Sequence, residues 1–277
     1  MTEHFADVNG IKICYDIRGE GPPIVFTHGY GAKKEIWKAQ YELAKEFQLI
    51  TYDLRGVGKS DRPNMPYTME MFADDIKALM DFLNIKKAHI GGRSLGGMIS
   101  QNFVLKYPEN VDKLILITTN SGMPSADGIE MLKKSQIQEL EELKNDPKKA
   151  FFQQARVLYH QKFRKDMENN PTKIFHGIFS AESLIEERLR DMPRPQDLSN
   201  IAEAIKNHKT VERLHEIKCP TLLIAGTHDR LTPSSSSELM DKKIPNSTLK
   251  IIERAGHFLT LSRAPEVNKI IANFLKS

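Results

Sequence analysis

Short apolar runs recur along the chain at 24–27, 49–52, 88–90, 114–117, 221–225 and 248–252, each bounded by glycine, proline or polar residues. Apolar side chains at consecutive positions suit strands buried on both faces. Stretches with helical spacing, such as 71–83 and 98–105, lie between most of these runs. Strands alternating with helices predict right-handed crossovers and a mainly parallel sheet covered on both faces, with functional groups gathered at the carboxyl ends of strands. The opening differs: extended-looking segments within 5–17 flank Asn9-Gly10, a dipeptide suited to a tight hairpin turn, so the chain is expected to begin with an antiparallel pair.

The alternation breaks between residues 121 and 210. There Leu140, Leu143, Phe151, Phe152, Leu158, Phe163, Ile174, Phe175 and Ile178 fall in charged, helix-like segments with no convincing strand. A helical insertion at 121–210 is expected, splitting a core formed by 1–120 and 211–277. Pro193 and Pro195 divide that insertion into at least two helical parts, because proline fixes φ and lacks a donor.

The strongest chemical signal is Gly92-Arg93-Ser94-Leu95-Gly96-Gly97, set between a predicted strand and a predicted helix. A sharp strand-to-helix turn presents its central side chain at a helix N-terminus, and flanking glycines leave room for the crossing. A serine hydroxyl needs a base to become an effective nucleophile, and the base needs an orienting acid. In this arrangement the acid and then the histidine follow along the chain. Asp229 follows the strand at 221–225 and His257 follows the strand at 248–252, so both are expected on the rim that carries Ser94. His228 is the rival base. Two donors are also required for a developing oxyanion; the Leu95 and Tyr30 backbone N–H groups are the candidates, the second from the loop His28-Gly29-Tyr30-Gly31. His28, beside that loop, is expected to orient it by a hydrogen bond.

Arg93 and Trp37 are candidates for contacting substrate: the first through its planar fork of donors, the second as an aromatic wall or as packing beneath the loop. The run Asp53-Leu54-Arg55-Gly56-Val57-Gly58-Lys59-Ser60 contains Gly-Lys-Ser, but a phosphate loop requires glycine where Asp53 stands. An ordered, charge-held loop is the expectation. His208 and His215 lie seven apart, too far for a ligand pair one helical turn apart, and no clustered cysteine-histidine set exists, so no metal site is expected.

Composition narrows the setting. A net charge of +4 without clustering offers no nucleic-acid footprint, and no apolar run approaches the roughly 20 residues that span a bilayer. The amino-terminal residues lack a basic segment followed by an apolar one, so a cytoplasmic location is expected. Cys14 and Cys219 cannot make a disulfide framework and read as buried thiols in strands.

Through the 28–31 loop, the 53–60 loop, the 92–97 turn, Asp229 and Ala255-Gly256-His257-Phe258, the chain resembles the α/β-hydrolases over nearly its whole length. Within them it is similar to the capped group of enol-lactonases, small esterases and carbon–carbon bond hydrolases. The resemblance implies a mostly parallel eight-stranded sheet with an antiparallel second strand, flanked by helices, with 121–210 as a cap. It also implies cofactor-free catalysis through an acyl-serine intermediate. Serine at position 94 argues against members that place aspartate there to form alkyl-enzyme esters. The expected substrate is a small ester or lactone, with no nucleic-acid or membrane partner and self-association left open. Two further readings stand beside it: cleavage of vinylogous diketones by the same trio, and a non-catalytic ligand-binding protein on this scaffold.

Overall fold

The computed structural model describes residues 3–122 and 126–277. Residues 1–2 and 123–125, which fall within the expected core and insertion, lie outside the described residues.

The chain opens with strands β1 (His4–Val8) and β2 (Ile11–Arg18). They pair antiparallel around Asn9-Gly10, where both residues take positive φ, 49° and 72°. The remaining strands are β3 (Pro23–Thr27), β4 (Gln48–Tyr52), β5 (Ala88–Arg93), β6 (Val111–Ile117), β7 (Thr221–Gly226) and β8 (Ser247–Ile252). They form one eight-stranded sheet in the order β1-β2-β4-β3-β5-β6-β7-β8. The β1–β2 and β2–β4 pairings are antiparallel; every later pairing is parallel. Chain order reverses around β3 and β5, so their carboxyl ends open side by side, the position at which open α/β sheets hold ligands.

Both faces are covered, which is why the strands read as unbroken apolar runs. Successive side chains point to opposite sides. Val25, Ile50, Ile90, Leu114 and Leu116 pack with Phe72, Ile76 and Leu79 of α1 (Met69–Phe82) and Ile99 and Phe103 of α2 (Leu95–Lys106). Ile24, Phe26, Leu49, Ile115 and Ile117 pack on the other side with Trp37 and Leu43 of the 3-10 helix Lys34–Lys45, and with groups near the carboxyl terminus.

Among the described residues, five α-helices stand between β6 and β7: α3 (Ala126–Asn145), α4 (Pro147–Leu158), α5 (Gln161–Asn169), α6 (Ala181–Leu189) and α7 (Pro195–Lys206). The division is finer than the two prolines suggest because local caps punctuate it. The Asp146 side chain accepts from the Lys149 N–H with Pro147 in the first turn, and Ser180 and Ser183 form a reciprocal capping box. The two ends of the insertion meet at an isolated bridge between Gly122 and Lys209, where the Thr210 N–H donates to the Ser121 carbonyl at 2.8 Å. Helix α7 seats Ile201 and Ile205 on the main core, while Phe151, Tyr159, Phe175, Phe179 and Leu184 make a separate cluster with Ala39, Leu261 and Ala264. After β7 the chain adds α8 (Ser234–Lys243), and after β8 the short α9 (Leu259–Ser262) and α10 (Ala264–Lys276).

Cys14 sits buried in β2, whereas Cys219 corrects the sequence reading: it is half-buried in a bend before β7. Burial raises both thiols, to about 12 and about 11, which keeps them protonated and unreactive at neutral pH. Among the described residues no helix is long and apolar enough to cross a membrane.

Candidate active site

Ser94 links β5 to α2 with φ 56° and ψ −121°, a strained conformation for a residue bearing a side chain. Its surroundings impose it. The Ser94 N–H donates to the Ile117 carbonyl at 3.0 Å, and the Ser94 carbonyl accepts from the Thr119 hydroxyl at 2.7 Å and the Gly97 N–H at 2.9 Å. The crossing is tight enough that a Cβ at Gly92 would lie 2.1 Å from the Gly96 carbonyl oxygen. Leu95 is the first helical residue, so its N–H has no acceptor within the helix and remains available at the turn.

The loop after β3 closes over this turn. A Cβ on Gly29 would sit 3.2 Å from the Ser94 Cβ and from the Arg93 carbonyl oxygen, so a side chain there would crowd the turn. The His28 Nε2 accepts from the Leu54 N–H at 3.1 Å, which leaves Nδ1 to donate to the Gly29 carbonyl at 2.9 Å. That pair of bonds requires neutral imidazole, and burial lowers His28 to about 4. His28 therefore braces the loop, as the sequence suggests. Tyr30 is tied from the other side by its hydroxyl, which donates to the Leu198 carbonyl of α7 at 2.9 Å.

Asp229 and His257 stand in the loops after β7 and β8. The Asp229 Oδ2 lies 2.8 Å from the His257 Nδ1. The same carboxylate accepts from the Leu231 and Thr232 N–H groups at 2.8 and 2.9 Å and from the Thr232 hydroxyl at 2.7 Å. Burial pushes the Asp229 carboxyl upward, but His257 and these donors outweigh it and hold it below the ordinary range. Burial lowers His257, against the pull of Asp229, leaving a mainly neutral imidazole at pH 7. With Nδ1 donating to Asp229, its Nε2 is the free basic nitrogen. Thr232 has no recognisable motif in sequence; only the fold shows that it completes the carboxylate's shell.

His257, Ser94, Tyr30, Leu95 and Arg93 line one cavity of about 350 Å³, closed by the insertion through Leu132, Leu140, Leu143, Leu158 and Leu184. The insertion reaches the site directly: the Phe258 N–H donates to the Leu158 carbonyl at 2.9 Å, and a Cβ at Gly31 would meet the Gln136 Oε1 at 2.2 Å.

Three other candidates settle differently. His228 is exposed, paired with the Thr227 hydroxyl at 2.9 Å, and does not line the cavity. Of the two readings of Trp37, packing holds and substrate contact is corrected: it is fully buried, stacked on Phe26 with ring centroids 4.4 Å apart, and belongs to the core on one face of the sheet rather than to the cavity wall. Its flat apolar surface is used by the neighbouring ring. The 53–60 loop is a braced turn, in which the Asp53 carboxylate accepts from the Lys34 and Lys59 N–H groups at 2.9 and 3.1 Å. Among the described residues no cluster of three or more histidine, cysteine or acidic side chains is placed to hold a metal ion.

A strained serine at a strand-to-helix turn, a buried histidine–carboxylate pair, and both on one cavity define a hydrolase-type site. The model of the alpha/beta hydrolase fold family matches residues 22–264, and the chain belongs to that family. The AB hydrolase superfamily protein YisY of Bacillus subtilis is 28% identical over 276 residues, covering 94% of this chain and 93% of its own. The crystal structure of the enol-lactonase from Burkholderia xenovorans superposes with a TM-score of 0.83 at 24% identity, covering 99% of this chain and all of that one. A thermophilic esterase from Thermogutta terrifontis does so with a TM-score of 0.82 at 26% identity, covering 100% of this chain and 98% of its own.

Proposed function

We propose that the protein is a serine hydrolase that cleaves a small carboxylic ester or lactone through an acyl-serine intermediate. The observation that carries this reading is the 2.8 Å contact between His257 and Asp229 at the wall of the cavity that also holds the strained Ser94. His257 Nε2 takes the Ser94 hydroxyl proton as Oγ attacks the substrate carbonyl. The oxyanion that forms is met by the Leu95 and Tyr30 N–H groups. Collapse expels the alkoxide, which leaves as the alcohol after receiving the proton from His257. Water then attacks the acyl-serine, His257 takes its proton, and collapse releases the acid and returns the proton to Ser94. Asp229 fixes the imidazole tautomer and stabilises the imidazolium. The leucines of α3, α4 and α6 set the acyl-chain fit. The esterase from Thermogutta terrifontis, similar over the whole chain, supports ester chemistry.

The experiment is turnover of p-nitrophenyl esters from acetate to decanoate by wild type and Ser94→Ala, with circular dichroism matched between them. Wild type is expected to show chain-length-dependent turnover, lost by roughly four orders of magnitude or more in Ser94→Ala. Equal rates in the two proteins would overturn the assignment. Cleavage of vinylogous diketones with negligible ester turnover would move the reading to carbon–carbon bond hydrolysis.

A further inference from the structure

Arg93 is a buried cation with no anionic partner among the described residues. It is 1% exposed, and its Nε and Nη1 are buried with no hydrogen-bond partner among the described residues. Its guanidinium carbon lies 4.0 Å from the centre of the Phe258 ring, a face that attracts a cation but accepts no conventional hydrogen bond. A buried charge left in this state is strongly unfavourable unless something completes it.

The position of Arg93 indicates what does. It lines the same cavity as Ser94 and His257. Its Nη2 lies 3.1 Å, and the Ser94 Cβ 3.2 Å, from where a Cβ on Gly29 would stand, so the guanidinium and the serine flank the same stretch of backbone. The other cations on the cavity wall are placed differently. Arg188 is ion-paired with Glu139, and the Lys33 ammonium donates to the Glu187 carbonyl at 2.8 Å and to that of Arg190. Arg190 is exposed and pairs with Glu186 at 4.0 Å, and Arg230 is exposed. Among the described residues on this wall, Arg93 alone combines deep burial with donors that have no protein acceptor.

We propose that Arg93 anchors a free carboxylate on the substrate, so that the preferred substrates are carboxylate-bearing esters or lactones, such as half-esters of short dicarboxylic acids. This rests on the serine-hydrolase reading and narrows its substrate class. Nη2, the one guanidinium nitrogen not sealed off, offers a charged donor to a carboxylate oxygen, and the ring of Phe258 packs against the guanidinium. The apolar leucines then accommodate the remainder of the substrate.

The test compares monomethyl glutarate with methyl 5-methylhexanoate, in which an isopropyl group replaces the carboxylate at similar volume. Wild type is expected to favour the half-ester in kcat/KM by roughly ten- to a hundredfold, and Arg93→Met to bring that ratio to about one. Equal kcat/KM values in wild type would overturn the proposal, as would an unchanged ratio in Arg93→Met. Should Arg93→Met fail to fold, the wild-type ratio decides alone. Glutarate titrated calorimetrically into folded Ser94→Ala separates this claim from the nucleophile assignment: binding that disappears in Ser94→Ala/Arg93→Met supports the anchor even if Ser94 is not the nucleophile. Absence of glutarate binding to Ser94→Ala would contradict the anchor while leaving ester hydrolysis intact.

Discussion

At the scale of single residues, the site is governed by which protonation state each environment favours. His257 is fully buried yet must be neutral to act as a base, and its burial favours that state. Burial lowers its folded pKa from the ordinary imidazole value, so the acid limb of kcat/KM is expected at a lower pH than a free imidazole would give. Asp229 pulls that pKa up and Arg93 pushes it down. Asp229→Asn should therefore lose roughly four orders of magnitude in kcat, and its residual activity should show an acid limb moved to lower pH. Initial rates between pH 4 and 8 with one activated ester check this; a limb moving upward would show that Asp229 does not support the imidazolium. Ser94, Asp229 and His257 were legible in the sequence because each falls directly after a predicted strand. Thr232 and Phe258 were not, since their roles depend on contacts made across the loops after β7 and β8. Trp37 stayed open between packing and substrate contact for a related reason: nearness in sequence to the 28–31 loop does not say where a ring points, and here it stacks on Phe26 in the core.

At the scale of elements, the turn between β5 and α2 depends on backbones packed closer than a side chain allows. A Cβ at Gly96 would sit 2.0 Å from the Thr27 carbonyl oxygen and 2.7 Å from that of His28. Neither acceptor can rotate away, because both belong to the backbone where β3 enters the 28–31 loop. Gly96→Ala should destabilise the fold by roughly 3 kcal/mol or more and displace that loop. Gly122→Ala provides the contrast, since its nearest neighbour would be 3.6 Å away, and the expected change is within about 0.5 kcal/mol. Urea unfolding of both variants measures the difference; similar midpoints would mean that α2 can shift to relieve the crowding. The glycine spacing announced this turn, and the strand runs announced β3 to β8. The number of helices between β6 and β7 was harder to read because their starts are set by single caps at Asp146, His160 and Ser180, while the apolar residues between them serve two different cores.

At the scale of the whole molecule, a parallel sheet brings residues far apart in sequence to one rim: Ser94 after β5, Asp229 after β7, His257 after β8 and the 28–31 loop after β3. That convergence follows from strand-helix alternation and could be anticipated. The depth of the cavity could not, because it arises where α3, α4 and α6 pack over the rim, and no short-range pattern encodes that docking. Nor could the isolation of Arg93, which depends on which acceptors the folded chain leaves within reach.

The central claim is that Ser94 is the nucleophile presented to this cavity. The most direct measurement is labelling with a fluorophosphonate, followed by intact mass and peptide mapping, on wild type and Ser94→Ala of matched circular dichroism. A single adduct is expected on the Ser94 peptide of wild type and none on Ser94→Ala. An adduct on another residue, or no adduct on a folded wild-type protein, would contradict it.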